Sequence, residues 1–320
     1  MQSFPVPSLT TDEPAVHVPI ELRYDDLTQD GHIKLSALHL VIGRVCFDQI
    51  WTQHPLFVSR RQGVFPIMSR MVLEADPVAV SFTAPIDGRG RIELAHERDA
   101  EGDVSALFMN AYGEMWGLRS RRQPGSENHR FQVSEKAPDG TLMDARPARE
   151  QIRVGRAFAE HVLTKPFGPA NERKTLRLEV PGQPEVPGAV HTRLPATEAL
   201  VIPEGSQVLD LDFMPDESDW VFGLVHTDAN QHVNSLVYVR AFEEAALRRL
   251  ARHGLGARAV ADRIELNYRK PSFAGDRMQC MLRSYARQGG YGVSGYLVPE
   301  GAARERAYCS FRLQLRTVAS

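Results

Sequence analysis

Residues 15–24 place Val16, Val18, Ile20 and Leu22 in alternation with His17, Pro19 and Glu21, a period-two pattern that predicts a strand. A polar turn follows over 25–34. Residues 35–51 then change period: Leu38, Val41, Ile42, Val45 and Ile50 recur at roughly helical spacing. Strand-like runs follow at 65–73, 78–84, 91–97 and 106–116, with Gly88 and Gly90 read as punctuating one hairpin and Gly102 the next. Residues 121–205 are rich in proline and glycine and read as a long connector, with a short helix expected at 149–163 and a strand at 175–180.

The pattern then starts again. A strand is expected at 220–225, a polar turn at 226–234, and a helix at 235–253 with Leu236, Val239, Phe242, Ala246 and Leu250 along one side. Strands are expected at 261–268, 278–288, 292–297 and 306–316, with Gly289-Gly290-Tyr291-Gly292 as a hairpin turn. The two turns align without a gap at an offset of 200 residues: His32 with His232, Ile33 with Val233, Asp30 with Asn230. Matching strings and matching element order imply an internal duplication. A long apolar helix set against antiparallel strands gives an α+β fold class, with each sheet curling around its helix. The boundaries read as a leader over 1–14, a first unit over 15–120, a linker over 121–205 and a second unit over 206–320.

Composition narrows the function classes. The chain has 320 residues, 42% hydrophobic and 24% charged, with a formal net charge of −2. Such a balance fits a globular protein and carries no basic footprint for nucleic acid or a membrane surface. The polar, proline-bearing start lacks the apolar core of a signal peptide. Cys46, Cys280 and Cys309 are far apart and suggest reduced thiols and a cytoplasmic setting, not a disulfide framework. No histidine pair has metal-ligand spacing, so no metal or other cofactor is expected. Serine-hydrolase elbows and glycine-rich phosphate loops are missing.

The densest chemistry lies in Asp228-Ala229-Asn230-Gln231-His232-Val233-Asn234. Asp228 has the chemistry of a general base on water or of a nucleophile toward a carbonyl. Asn230 would orient it, and His232 would hydrogen-bond a carbonyl, a leaving thiol or the carboxylate. Backbone N–H groups near Asn234 and Ser235, at the positive end of the helix, suit a developing oxyanion. The same residues are also ordinary turn formers and N-caps, and Glu243 and Glu244 could both be solvated. In the first turn Thr28, Asp30 and Lys34 stand where the second has Asp228, Asn230 and Asn234. The first copy is therefore expected to shape a channel, with a structural His32.

Asp228, Asn230, Gln231, His232 and Asn234, followed by Tyr238 and Glu244, resemble the signature of the acyl-ACP thioesterases of the hotdog superfamily. Leu266-Asn267-Tyr268-Arg269-Lys270 is similar to a further strand motif of that family, and Leu22-Arg23-Tyr24 with Gln29-Asp30-Gly31 to its opening. The resemblance implies a double hotdog, two helix-in-sheet units in one chain. It implies hydrolysis of an acyl-ACP or acyl-CoA, with Asp228, Asn230, His232 and Glu244 catalytic and Asn234, Ser235 and Tyr238 binding substrate. Where the family has Glu-Cys after that strand motif, this chain has Pro271-Ser272. That departure directs the expectation toward specialised acyl metabolism, such as release of a polyketide-type chain. Two alternatives stay open: a dehydratase, isomerase or acyltransferase on a carrier-bound acyl group, and a non-catalytic acyl-binding protein. A homodimer is kept open as a partner state.

Overall fold

The computed structural model describes residues 6, 7, 9, 15–120, 150–255 and 259–317. The first half holds β1 (Val16–Ile20), α1 (Leu35–Val41), β2 (Phe65–Ala75), β3 (Ile86–Arg98), β4 (Val104–Leu118) and β5 (Gln151–Thr164). Four short strands follow: β6 (Ala189–Val190), β7 (Gln207–Val208), β8 (Met214–Pro215) and β9 (Trp220–Val221). The second half holds α2 (Ser235–Ala251), β10 (Ala259–Tyr268), β11 (Arg277–Arg287), β12 (Gly290–Pro299) and β13 (Cys309–Thr317).

The halves repeat one topology. The first runs β1-β3-β4-β5-β2 across the sheet. The second runs β11-β12-β13-β10, with β9 pairing β11 as β1 pairs β3. The corresponding strands β2 and β10 pair antiparallel, Met71 opposite Leu266, and fuse the halves into one sheet. One face carries a continuous apolar core: Leu38, Val41 and Val45 from the first helix, Val239 and Phe242 from α2, and Leu73, Met71, Ile264 and Phe311 from the strands. Alternation puts Arg70, Glu265, Asn267 and Arg312 on the opposite face, where all four are buried. Residues 194–201 run over this row: Leu194 O accepts from Arg70, Ala196 O from Ser310, and Glu198 O and Val201 O from Arg312.

The expected first helix is composite. After Val41 the chain continues over Ile42–Ile50 with wider, π-type turns, then in tight 3-10 turns over Trp51–Gln53 and Pro55–Gln62. Glycines let it lie close to the sheet. A Cβ at Gly113 would stand 2.4 Å from Val41 Cγ1, and one at its cross-strand partner Gly90 would stand 2.9 Å from Val45 Cγ1. Gly88 and Gly90 thus lie inside β3 and end no hairpin, whereas Gly102, at φ 91°, does turn β3 into β4.

The largest correction concerns the expected helix at 149–163. Residues 151–164 instead form β5, an interior strand between β4 and β2. Ile152, Val154, Ala157, Phe158, Ala159 and Leu163 are all buried, because both faces of this strand are covered. A strand buried on both faces loses its alternation, and apolar spacing then imitates a helix. The connector therefore begins after Thr164. Elsewhere in it, no strand forms at 175–180. The run 78–84 contributes only an isolated bridge from Val80 to Arg119, and the strand expected over 220–225 gives way after Val221 to a 3-10 turn at Leu224–His226. Of the expected leader, Val6 packs on Val72, Tyr112 and Phe158; most of 1–14 and all of 121–149 lie outside the described residues.

Candidate functional site

The two turns share their backbone bond for bond. In the second, Asp228 N donates to His232 O at 3.2 Å, Gln231 N to Asp228 O at 2.9 Å, and Asn234 N to His226 O at 2.9 Å. In the first, Thr28 N donates to His32 O at 2.8 Å, Gly31 N to Thr28 O at 3.0 Å, and Lys34 N to Asp26 O at 2.9 Å. Bridges Leu27–Ile33 and Thr227–Val233 close both. The third turn residue is left-handed in each, Gly31 at φ 80° and Gln231 at φ 66°. Gly31 adopts that region freely, whereas Gln231 is the one non-glycine residue with positive φ among those described.

The side chains of the second turn are drawn partly into its own structure. Asp228 Oδ1 accepts from Asn230 N at 2.8 Å, and Oδ2 accepts from Asn234 Nδ2 at 3.2 Å. Asn234 is the N-cap of α2, its Oδ1 accepting from Leu236 N at 2.9 Å. Leu236 and Val237 amides are thereby occupied, which leaves Ser235 N–H at this helix end. A carboxylate has more acceptor positions than the two Asp228 uses, so it retains capacity to bind water. Asn230 is exposed and His232 half-buried; the imidazole makes no hydrogen bond or ion pair among the described residues. Val233 N donates to Ser272 O at 2.8 Å, so the position where the resembled family has cysteine does reach the turn.

Two expected site residues are placed differently. Tyr238 is only 2% exposed and packs against Phe222, Phe242 and Tyr268, and burial pushes its phenol up to about 12. It is core. Glu244 points to solvent, its side chain 73% exposed and 3.8 Å from Arg248 one turn on. Glu243, its neighbour, turns inward instead. Burial pushes its carboxyl up to about 7, against the pull of Lys34 and Arg240. Helical phase carried this signal: Glu243 lies four residues after Val239 and three before Ala246, both fully buried.

The first turn is more tightly built than expected. Asp30, its side chain 4% exposed, accepts from Thr28 Oγ1 and from Arg316 Nη2 at 2.7 Å. His32 Nδ1 lies 2.9 Å from Asp30 Oδ2, a close contact bent away from an ideal hydrogen bond. Burial works against the Asp30 charge, but these partners prevail and hold the carboxyl down at about 2. The two helices also meet: Ser235 Oγ lies 3.3 Å from His39 Nε2, and Lys34, the N-cap of α1, acts on Glu243 two turns further along α2. The start of α2 thus packs on the middle of α1, and α2 brings Glu243 within electrostatic reach of Lys34.

No protein-family model matches this sequence, and no curated protein matches it. Solved structures share its fold. The provisionally designated oleoyl thioesterase from Lactobacillus plantarum superposes with a TM-score of 0.59 at 11% identity, over 97% of this chain and 99% of that one. The 12:0-ACP thioesterase from Umbellularia californica gives 0.56 at 11% identity, over 95% and 94%. An acyl-ACP thioesterase from Bacteroides thetaiotaomicron gives 0.53 at 12% identity, over 95% and 97%. The chain thus has the fold of hotdog thioesterases along nearly its whole length.

Proposed function

We propose that this chain is a double-hotdog acyl-thioester hydrolase acting on an acyl group carried by ACP or CoA. The first hotdog unit comprises β1 to β5 with α1, the second β9 to β13 with α2. The observation that carries the reading is the Asp228–Asn234 turn at the head of α2, within a fold whose full-length likenesses are named thioesterases.

In this reading Asp228 takes a proton from water, and the water oxygen attacks the thioester carbonyl carbon. Ser235 N–H and Asn230 serve in this reading to stabilise the growing negative charge on the carbonyl oxygen. Cleavage of the C–S bond releases a thiolate, which takes that proton back from Asp228. His232, free of protein partners among the described residues, is the group at hand to hydrogen-bond the departing sulfur. Ser272 in place of a family cysteine supports a specialised acyl substrate, such as a polyketide-type chain.

Turnover of hexanoyl-, lauroyl- and oleoyl-CoA and of the corresponding acyl-ACPs tests the reading. The wild type should hydrolyse at least one, and Asp228→Ala should lower kcat at least tenfold with an unchanged melting temperature. Tight acyl-CoA binding without hydrolysis of any thioester would replace the enzyme with an acyl-binding protein.

A further inference from the structure

The first turn has what an acid–base centre needs, although its sequence reads as a decayed copy. Asp30 is fixed from three sides, by Thr28, by Arg316 from β13 and by His32. A carboxylate held this way fixes the ring of its histidine and favours the tautomer with the proton on Nδ1. His32 is 7% exposed, and its Nε2 makes no hydrogen bond among the described residues. By contrast, His232 in the second turn has no orienting carboxylate, because Asp228 is turned toward Asn230 and Asn234.

A second carboxyl, Glu243 of the other half, lies within electrostatic reach of Lys34 in the first turn. Glu243 is half-buried, and its oxygens make no hydrogen bond or ion pair among the described residues. The charged groups acting on it are Lys34 of the first turn and Arg240 and Glu244 of its own helix. Lys34 donates from its ammonium to Asp25 O at 2.8 Å and makes no ion pair with Glu243 among the described residues. A half-buried carboxyl without a partner loses part of its hydration and is drawn toward the protonated form or toward a ligand. Such a group, facing the charge of Lys34 two residues along from an oriented histidine, is a mark of a functional site.

We propose that the first turn is a second acid–base centre for the same class of acyl thioester, with His32 Nε2 as base, Asp30 as its positioning residue and Glu243 as carboxyl donor to the thioester carbonyl oxygen. This rests on the thioester reading above. His32 Nε2 takes a proton from water, and the water oxygen bonds to the carbonyl carbon. The C–S bond breaks, and the departing thiolate takes that proton back from His32. Protonated Glu243 donates a hydrogen bond to the carbonyl oxygen throughout and is unchanged at the end.

Hydrolysis of lauroyl-CoA by the full chain, wild type and Asp228→Ala, decides the matter. Asp228→Ala should keep a residual turnover, and adding His32→Gln should cut that residue about 100-fold, the scale of a lost general base. Adding Glu243→Gln instead keeps a donor, so rate should persist while the fall in kcat above about pH 7 disappears. Melting temperatures within a few degrees of wild type confirm that the variants fold. No residual turnover in Asp228→Ala, or a residue untouched by His32→Gln with the descending limb intact in Glu243→Gln, overturns the second centre alone. A wild type inactive on every thioester overturns both readings.

Discussion

Ser235 Oγ stands 3.3 Å from His39 Nε2, tying the first turn of α2 to the middle of α1. His39 is half-buried there, and desolvation brings its imidazole down to about 4. His161 on β5, whose Nδ1 contacts Met109 O at 3.2 Å, is likewise brought down to about 4 by burial. Both are neutral in the folded protein at neutral pH, and charge on His39 would disfavour charge on His161.

The sign of their effect on stability follows. Above about pH 6.5 neither folded nor unfolded chain protonates them, and the contribution is complete. Between about 6.5 and 4 the unfolded chain takes up protons that the folded chain refuses, so stability falls as pH falls. Each histidine accounts for up to ~3 kcal/mol, and their mutual repulsion makes the pair non-additive. Urea midpoints measured from pH 7.5 to 4 should decline in the wild type and decline less in a His39→Gln, His161→Gln double variant. Parallel curves for the two proteins would refute the assignment.

The glycine groove under the first helix gives a second expectation. At Gly113 a side chain would meet Val41 Cγ1 at 2.4 Å and Cγ2 at 2.9 Å, in a core with no room for either to move far. Gly113→Val should therefore destabilise by about 1–3 kcal/mol, the usual scale of overpacking. Shortening the partner in Gly113→Val, Val41→Ala should recover part of the loss. Thermal melting reads both; an unshifted Gly113→Val would mean that the helix is not held at this distance.

Much of this architecture was legible in the chain, and what was missed has identifiable causes. Strands with one face in the core, such as β10 and β13, kept enough alternation to be found, and both turns announced themselves through Asp30-Gly31-His32 and Asn230-Gln231-His232. β5 looks like a helix in the sequence because burial on both sides erases its period. The resemblance points Tyr238 at substrate, while its place beside Val239 and Phe242 puts it in the apolar stripe. The resemblance likewise points to Glu244, while helical phase turns Glu243 inward. The partnership of Asp30 with Arg316 spans 286 residues and has no local signature at all.

The polar face of the seam supports a third expectation. Arg312 Nη2 and Glu265 Oε2 are 3.1 Å apart, with side chains only 6% and 1% exposed, and Arg70 Nη1 approaches Glu265 Oε1 at 3.9 Å. Removing one member strands a buried charge, so Arg312→Ala should cost about 3–5 kcal/mol. The same substitution also frees Glu198 O and Val201 O, loosening the segment that covers the sheet. Replacing both partners, as in Arg312→Met, Glu265→Leu, should cost less than the single change. Chemical denaturation separates these cases, and a single variant within about 1 kcal/mol of wild type would show the pair to be dispensable.

The strained residue of the second turn separates backbone from chemistry. Gln231 sits at φ 66° where its counterpart is Gly31, is exposed, and uses its side chain in no hydrogen bond among the described residues. A left-handed conformation costs a non-glycine residue about 1–2 kcal/mol, and glycine gives back part of that gain in chain entropy. Gln231→Gly should thus stabilise the protein by roughly 0.5–1 kcal/mol while leaving thioester turnover as it was. Asp228, Asn230 and His232 keep their backbone positions in this variant, because the backbone N–H at position 231 still donates to Asp228 O. A stabilised protein with normal kcat would mark the glutamine as a shape-setting member of the motif. Loss of turnover at preserved stability would instead bring its carboxamide into the site.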